Sequence, residues 1–199
     1  MRIFLFPLIF FFLITTNLGA VSYNSNPKIF ISELVDDAIK TLGDDSISLS
    51  DKKATIEKIA SENVDIKALG LYTLGDLRKK LEKNKIDEYQ LSYKKYFLKT
   101  LTSRLTTYSS QKFEVLGQKV KNEKYTIVLS KIAESKEQPE IKVDWRVYTK
   151  NPEKPLIRDL IVEGLSLAKV QKEEFASILT SNKNDINILI ATLEEFVAN

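Results

Sequence analysis

Nowhere in its 199 residues does the chain carry a cysteine or a histidine. The first absence removes disulfides, thiolate nucleophiles and any lipid-attachment cysteine. The second removes His-dependent triads and the usual proton shuttle near neutral pH. Together they remove Cys/His zinc sites. There is no glycine-rich phosphate loop and no calcium-loop spacing. A strong field of one sign is missing too. The 30 Lys and Arg residues are interspersed with 27 Asp and Glu, which argues against nucleic acid as the main partner. The densest basic run, Arg78-Lys79-Lys80, lacks the interleaved aromatics of a nucleic-acid platform. Chemistry by carboxylates alone stays open in principle. Its candidates are thin: Asp144 and Asp159 sit in strand-like segments where Arg146 or Arg158 can pair with them. Asp36-Asp37 and Asp44-Asp45 read as solvated charges. The expectation is a protein that is not an enzyme and has no cofactor and no metal site.

The longest apolar run lies at the start. MRIFLFPLIFFFLITTNLGAVS places one basic residue, Arg2, before an apolar run from Ile3 to Ile14, followed by small and polar residues. This is the layout of a secretory signal peptide. The run is well short of the roughly 20 residues a membrane span needs. The reading is a signal peptide over 1–22, cleaved after Ala20 or Ser22, and a single domain over 23–199. Losing Arg2 leaves 29 of the 30 basic residues against 27 acidic ones.

Within 23–199 the pattern is first helical. Asn26-Pro27 suits a cap and first helical position, Phe30, Ile31, Leu34, Val35, Ala38 and Leu42 share a face, and Gly43 is a natural stop. After Ser50 comes a short helix with Ile56, Ile59 and Ala60. Asp65 can cap a turn of helix holding Ala68, Leu69, Tyr72 and Leu74, with Gly70 and Gly75 marking close packing or a bend. From Asp87 to Tyr108 the residues Tyr89, Tyr93, Tyr96, Phe97, Leu101, Leu105 and Tyr108 recur mostly at spacings of three and four. That stripe covers a sheet or lines a cavity.

The period then changes to two. Lys112 to Val120, Lys124 to Ala133, Glu140 to Tyr148 and Leu156 to Val162 read as strands whose short links favour antiparallel neighbours. Val143, Trp145 and Val147 share one face of the third strand. Tyr125, Ile127 and Leu129 likewise share a face of the second, so one side of the sheet needs cover. At the corner that follows, Gly164 punctuates and Ser166 caps a helix expected to bury Leu167, Phe175, Ile178 and Leu179, with Leu165 and Val170 as staple residues. Asn184 or Asp185 opens a last helix. The fold class is α+β: a four-stranded antiparallel sheet with one face covered by a bundle of helices, able to enclose an apolar cavity.

Three stretches carry a likeness. Val64-Asp65-Ile66 followed by Leu74-Gly75, the aromatic helix from Tyr89 to Tyr108, and Asp159 through Gly164-Leu165-Ser166-Leu167 to Phe175 occur in an order and spacing that spans the region after the leader. In these the chain resembles the periplasmic phospholipid-binding proteins of the Mla system, the toluene-tolerance family. It departs from the family pattern in three places. Leu77 or Arg78 stands where a tryptophan is common, Leu101 where a tyrosine is frequent, and the only tryptophan is Trp145, one strand early.

The resemblance implies a periplasmic carrier, a monomer when soluble. It shuttles phospholipid between an outer-membrane lipoprotein complex and an inner-membrane ABC transporter complex with a lipid-binding ring, and so serves outer-membrane lipid asymmetry. Acyl chains would lie inside and the headgroup near solvent, since an unpaired buried charge and exposed acyl chains are both costly. The residues expected to form the wall are Leu71, Leu74, Leu101, Leu105, Ile127, Leu129, Val143, Trp145, Val147, Val162, Leu165, Leu167 and Ile178. Two other readings stay open beside it: an exported binder of another hydrophobic ligand, such as a fatty acid or quinone, and a structural or adaptor protein whose apolar faces are all core. A carboxylate-dependent hydrolase would need two acids converging in a cleft.

Overall fold

The structure, a computed structural model, describes residues 22–105, 112–134 and 139–199, with the backbone alone at residues 104 and 105. The leader up to Val21, Tyr108 and the side chain of Leu105 lie outside the described residues. The elements run α1 (Pro27–Gly43), α2 (Leu49–Asn63), α3 (Ile66–Thr73), a 3-10 turn (Gly75–Lys79), α4 (Lys83–Leu105), β1 (Phe113–Asn122), β2 (Tyr125–Ile132), β3 (Ile141–Tyr148), β4 (Leu156–Val162), β5 (Leu165–Ser166), α5 (Leu167–Ser181) and α6 (Ile186–Ala198). Helix starts follow cap chemistry. Asn26, Ser48, Asp65, Ser166 and Asp185 each accept a hydrogen bond from a backbone N–H of the first turn. The second helix therefore opens at Ser48, ahead of Ser50. The long helix opens at Lys83, four residues before the aromatic stripe suggests.

The sheet is an antiparallel meander in the order β1-β2-β3-β4-β5. The fifth strand was not expected. Glu163 (φ 49°) and Gly164 (φ 80°) form a two-residue turn with both residues left-handed, the geometry that closes a tight hairpin, and it folds Leu165-Ser166 back along β4.

Register decides which side of the sheet is covered. Thr126, Val128 and Ser130 of β2 pair with Val147, Trp145 and Val143 of β3 and so share their face; all three β2 residues are buried. Tyr125, Ile127 and Leu129 point the other way, beside Tyr148, Arg146 and Asp144, and stay partly exposed. The polar members on the covered side are satisfied: Ser130 donates to the Val143 carbonyl and accepts from Trp145 Nε1 at 2.9 Å.

The helices do not all lie on that face. Phe30, Ile31 and Leu34 of α1 pack with Val128, Val147 and Ile157 into one core, flanked by Phe113, Val115 and Trp145. A second core lies among α3, α4, α5 and α6, built on Leu69, Leu74, Tyr89, Tyr93, Phe175, Leu179, Leu189 and Leu193. The aromatic stripe of α4 belongs to this second core. Its rings meet Phe175 of α5 and Phe196 of α6 edge-on, with Tyr93–Phe175 at 6.3 Å and Tyr96–Phe196 at 4.9 Å. The architecture is thus a helical bundle packed against an antiparallel sheet, each with its own apolar interior. Phe175, Ile178 and Leu179 turn inward as expected from α5. Leu167 does not: it is 44% exposed and Leu165 is 57% exposed, because the hairpin turn carries this corner past the edge of both cores.

Candidate functional site

Val64 packs against both cores. It stands between the end of α2 and the cap of α3, and forms an isolated parallel bridge with Ile157 of β4. The backbone N–H of Asp65 donates to the Ile157 carbonyl at 2.9 Å. The chain is stitched here to the sheet by one short piece of backbone, and the two apolar interiors touch.

A charged cluster locks the same place. Asp65 caps α3 through the Ala68 N–H at 3.1 Å, and its other oxygen takes Arg158 Nη2 at 2.7 Å and Nε at 2.8 Å. Arg158 also donates to the Tyr125 hydroxyl at 3.0 Å and lies over the Tyr148 ring, with its central carbon 3.5 Å from the ring centre. A register shift between Arg146 and Val147 leaves Arg158 without a strand partner and so free to turn toward α3. Burial alone would lower the Arg158 pKa; hydrogen bonds with Tyr125 and Asp65 and the charge of Asp65 outweigh it and raise the value. The guanidinium is a permanent cation.

Asp159 is also structural. Its side chain is fully buried, accepts from the Ser166 hydroxyl at 2.7 Å and the Ala168 N–H at 3.0 Å, and faces Arg146 Nη1 at 3.3 Å. A carboxylate at the N-terminal end of a helix is favourably placed. It ties β4 to α5 across the turn. Among the described residues no group of three or more His, Cys, Asp and Glu could hold a metal.

The described residues enclose two open spaces. One, of about 300 Å³, opens beside the Val64 joint and is lined by Ser61, Glu62, Val64, Asp65, Ile66, Lys67, Lys94, Lys154 and Leu156. The other, of about 470 Å³, is a groove among α4, α5 and α6, lined by Tyr96, Glu174, Phe175, Ser177, Ile178, Thr192, Leu193 and Phe196. Both fall within the volume range of small-molecule pockets.

The thirteen wall residues proposed from sequence are scattered. Leu74 and Ile178 lie in or against the helical core, Val147 and Trp145 in or against the sheet core, and Val143 is buried on the same sheet face. Val162 pairs with Val143 and shares that face. Ile127 and Leu129 are on the opposite face. Leu71 and Leu101 are partly exposed on their helices, and Leu165 and Leu167 are exposed. Only Ile178 borders either space. Sequence reasoning missed Val64, Ile66 and Leu156 as lining residues. Their signal is positional: an apolar pair flanking a helix cap, and the first apolar residue of a strand.

A helical bundle packed against an antiparallel sheet, with two apolar clusters meeting at a pocketed seam, defines an α+β architecture. A family model described as MlaC protein matches residues 32–195. The chain belongs to the MlaC family. Membership is consistent with a lipid-binding and transport role, and MlaC-like lipid-transport proteins are non-catalytic. The chain's fold is similar to that of a phospholipid-binding protein from Ralstonia solanacearum, solved in complex with a phospholipid, at 19% sequence identity and a TM-score of 0.70; the match covers 84% of this chain and 94% of that one. No curated protein matches. Among the described residues, no helix is long and apolar enough to cross a membrane.

Proposed function

We propose that the protein is a periplasmic phospholipid carrier that takes acyl chains in at the seam between its two cores. The observation that carries this reading is the division itself: the apolar interior falls into two clusters, and Val64 packs against both. Layers divided this way offer acyl chains an apolar seam between them. Acyl chains placed between them leave water at roughly 0.8 kcal/mol per methylene, while the headgroup stays at the mouth beside Asp65 and Lys67. Leu74 on the bundle side and Val147 and Trp145 on the sheet side are the wall residues from the sequence that belong to the two interiors meeting there.

In this reading residues 1–22 are a cleaved signal peptide and 23–199 one lipid-binding domain. The carrier receives and delivers lipid at an outer-membrane lipoprotein complex and an inner-membrane ABC transporter complex with a lipid-binding ring. No bond is made or broken.

The absence of native cysteine makes a direct test simple. Neighbouring strands lie about 4.7–4.9 Å apart, within the span of a disulfide, so V64C/I157C places a reversible clamp across the seam. The oxidised protein is expected to take up no phospholipid from vesicles, and reduction to restore uptake, with bound lipid read by extraction and mass spectrometry. Equal uptake in both states overturns entry at the seam. Extraction of a fatty acid or quinone in place of phospholipid overturns the ligand class.

A further inference from the structure

Three lysines from three separate parts of the chain reach the mouth of the 300 Å³ pocket: Lys67 in the first turn of α3, Lys94 in the middle of α4 and Lys154 just ahead of β4. All three are exposed, and none is ion-paired with another described residue. The acids at the same mouth do not cancel them. Asp65 is already engaged by Arg158, which leaves Glu62 alone against three cations. What marks these three is that they converge on one opening whose acids include a single unengaged one. A chain of nearly balanced charge thus gathers a local cationic excess at an opening beside the joint between its cores. The floor beneath it is apolar, made by Val64, Ile66 and Leu156.

We infer that this mouth selects a phosphate-bearing group of net negative charge, supplied by the headgroup of an anionic phospholipid. The inference rests on the carrier reading above and adds headgroup selection to it. Ammonium groups bind phosphate oxygens as compact point charges with three donors each, and the Ser61 hydroxyl at the same rim adds a neutral donor. A zwitterionic headgroup brings its own ammonium into the cluster and is disfavoured by like-charge repulsion. An anionic headgroup over an apolar floor satisfies both halves of the site.

Delipidated protein is incubated with vesicles of equal parts phosphatidylglycerol and phosphatidylethanolamine, and the bound lipid is identified by native mass spectrometry. The expected result is roughly fivefold enrichment of phosphatidylglycerol, the effect of about one well-formed exposed charge pair. K67Q/K94Q/K154Q is expected to bring the ratio near one with phosphatidylethanolamine still bound, and K67R/K94R/K154R to keep the enrichment. The double variant K94Q/K154Q, with α3 untouched, gives the same readout should the triple variant lose its native melting temperature. Bound lipid without enrichment, or enrichment indifferent to the glutamine substitutions, overturns the inference and leaves the carrier reading standing. No lipid bound by the unmodified protein overturns both. A parallel arm uses glycerol 3-phosphate. Lysine-dependent binding of that soluble anion, with unenriched lipid, makes the mouth a site for free phosphate esters and overturns headgroup selection.

Discussion

Gly70 of α3 and Tyr93 of α4 are packed so closely that a β-carbon on the glycine would stand 2.9 Å from Cδ1 of the tyrosine. It would also stand 2.9 Å from Oε1 of Gln90. Neither neighbour gives way freely. Tyr93 is fully buried and donates to Gln171 at 2.7 Å, while Gln90 donates to the Lys67 carbonyl at 3.1 Å. Alanine in mid-helix is ordinarily more stable than glycine by up to about 1 kcal/mol. Here Gly70→Ala is expected to destabilise by about 1–3 kcal/mol, as read by urea denaturation. A stabilised variant would mean that the two helices are not held at this distance.

The Asp65–Arg158 contact joins helix cap to sheet, so its two halves are coupled. Asp65→Ala removes both a cap and an ion-pair partner and is expected to cost about 2–3 kcal/mol. Arg158→Met keeps the cap and is expected to cost less. In a double-mutant cycle the combined loss should fall short of the sum by about 1 kcal/mol. Strict additivity in chemical denaturation would show the pair to be idle.

Asp159 is expected to be the least replaceable carboxylate in the chain. Alanine there strands the Ser166 hydroxyl and the Ala168 N–H at a part-buried helix start, at about 2–4 kcal/mol. Ser166→Ala removes the cap alone, at about 1 kcal/mol. Thermal unfolding of the two variants tests the order; a Ser166 effect equal to that of Asp159 would contradict it.

Stability should fall in alkali. Burial raises the pKa of Tyr89, outweighing the lowering by its hydrogen bond with Thr73, and burial likewise raises that of Tyr93. Each phenol stays protonated in the folded chain after its unfolded counterpart has ionised. The stabilisation is fully present below the ordinary tyrosine value near 10 and is lost as pH rises above it toward the folded values. Denaturation midpoints measured from pH 8 to 12 should be level at first and then drop. Tyr89→Phe/Tyr93→Phe should flatten the drop, and an unchanged slope in that variant would assign alkaline unfolding to other groups.

Much of the fold is legible in the sequence because its signals are local. The Asn26, Asp65 and Ser166 caps act within three residues of themselves, and β3 and β4 show their period directly. What failed was information stored across the sheet. In β2 the more apolar positions, Ile127 and Leu129, look like the inward ones. Pairing Val128 with Trp145 turns Thr126 and Ser130 inward instead, and hydrogen bonds make that tolerable. Leu165 and Leu167 looked like a staple and a core residue, but a left-handed Glu163, unusual for a residue with a side chain, set the turn that leaves both exposed. The candidate site was the least legible: Val64 and Ile66 flank a cap locally, but that Val64 borders both cores depends on the pairing of distant segments.

The unbroken β1-to-β5 order has a consequence for how the molecule comes to exist. Every strand lies beside its neighbour in sequence, so the sheet can zip up hairpin by hairpin with little loop entropy to overcome. The stitch between Val64 and Ile157 joins distant chain, as the helix–helix and α1–sheet packing does, and it forms once β4 is in place. The seam is therefore expected to assemble after the hairpins it is built on.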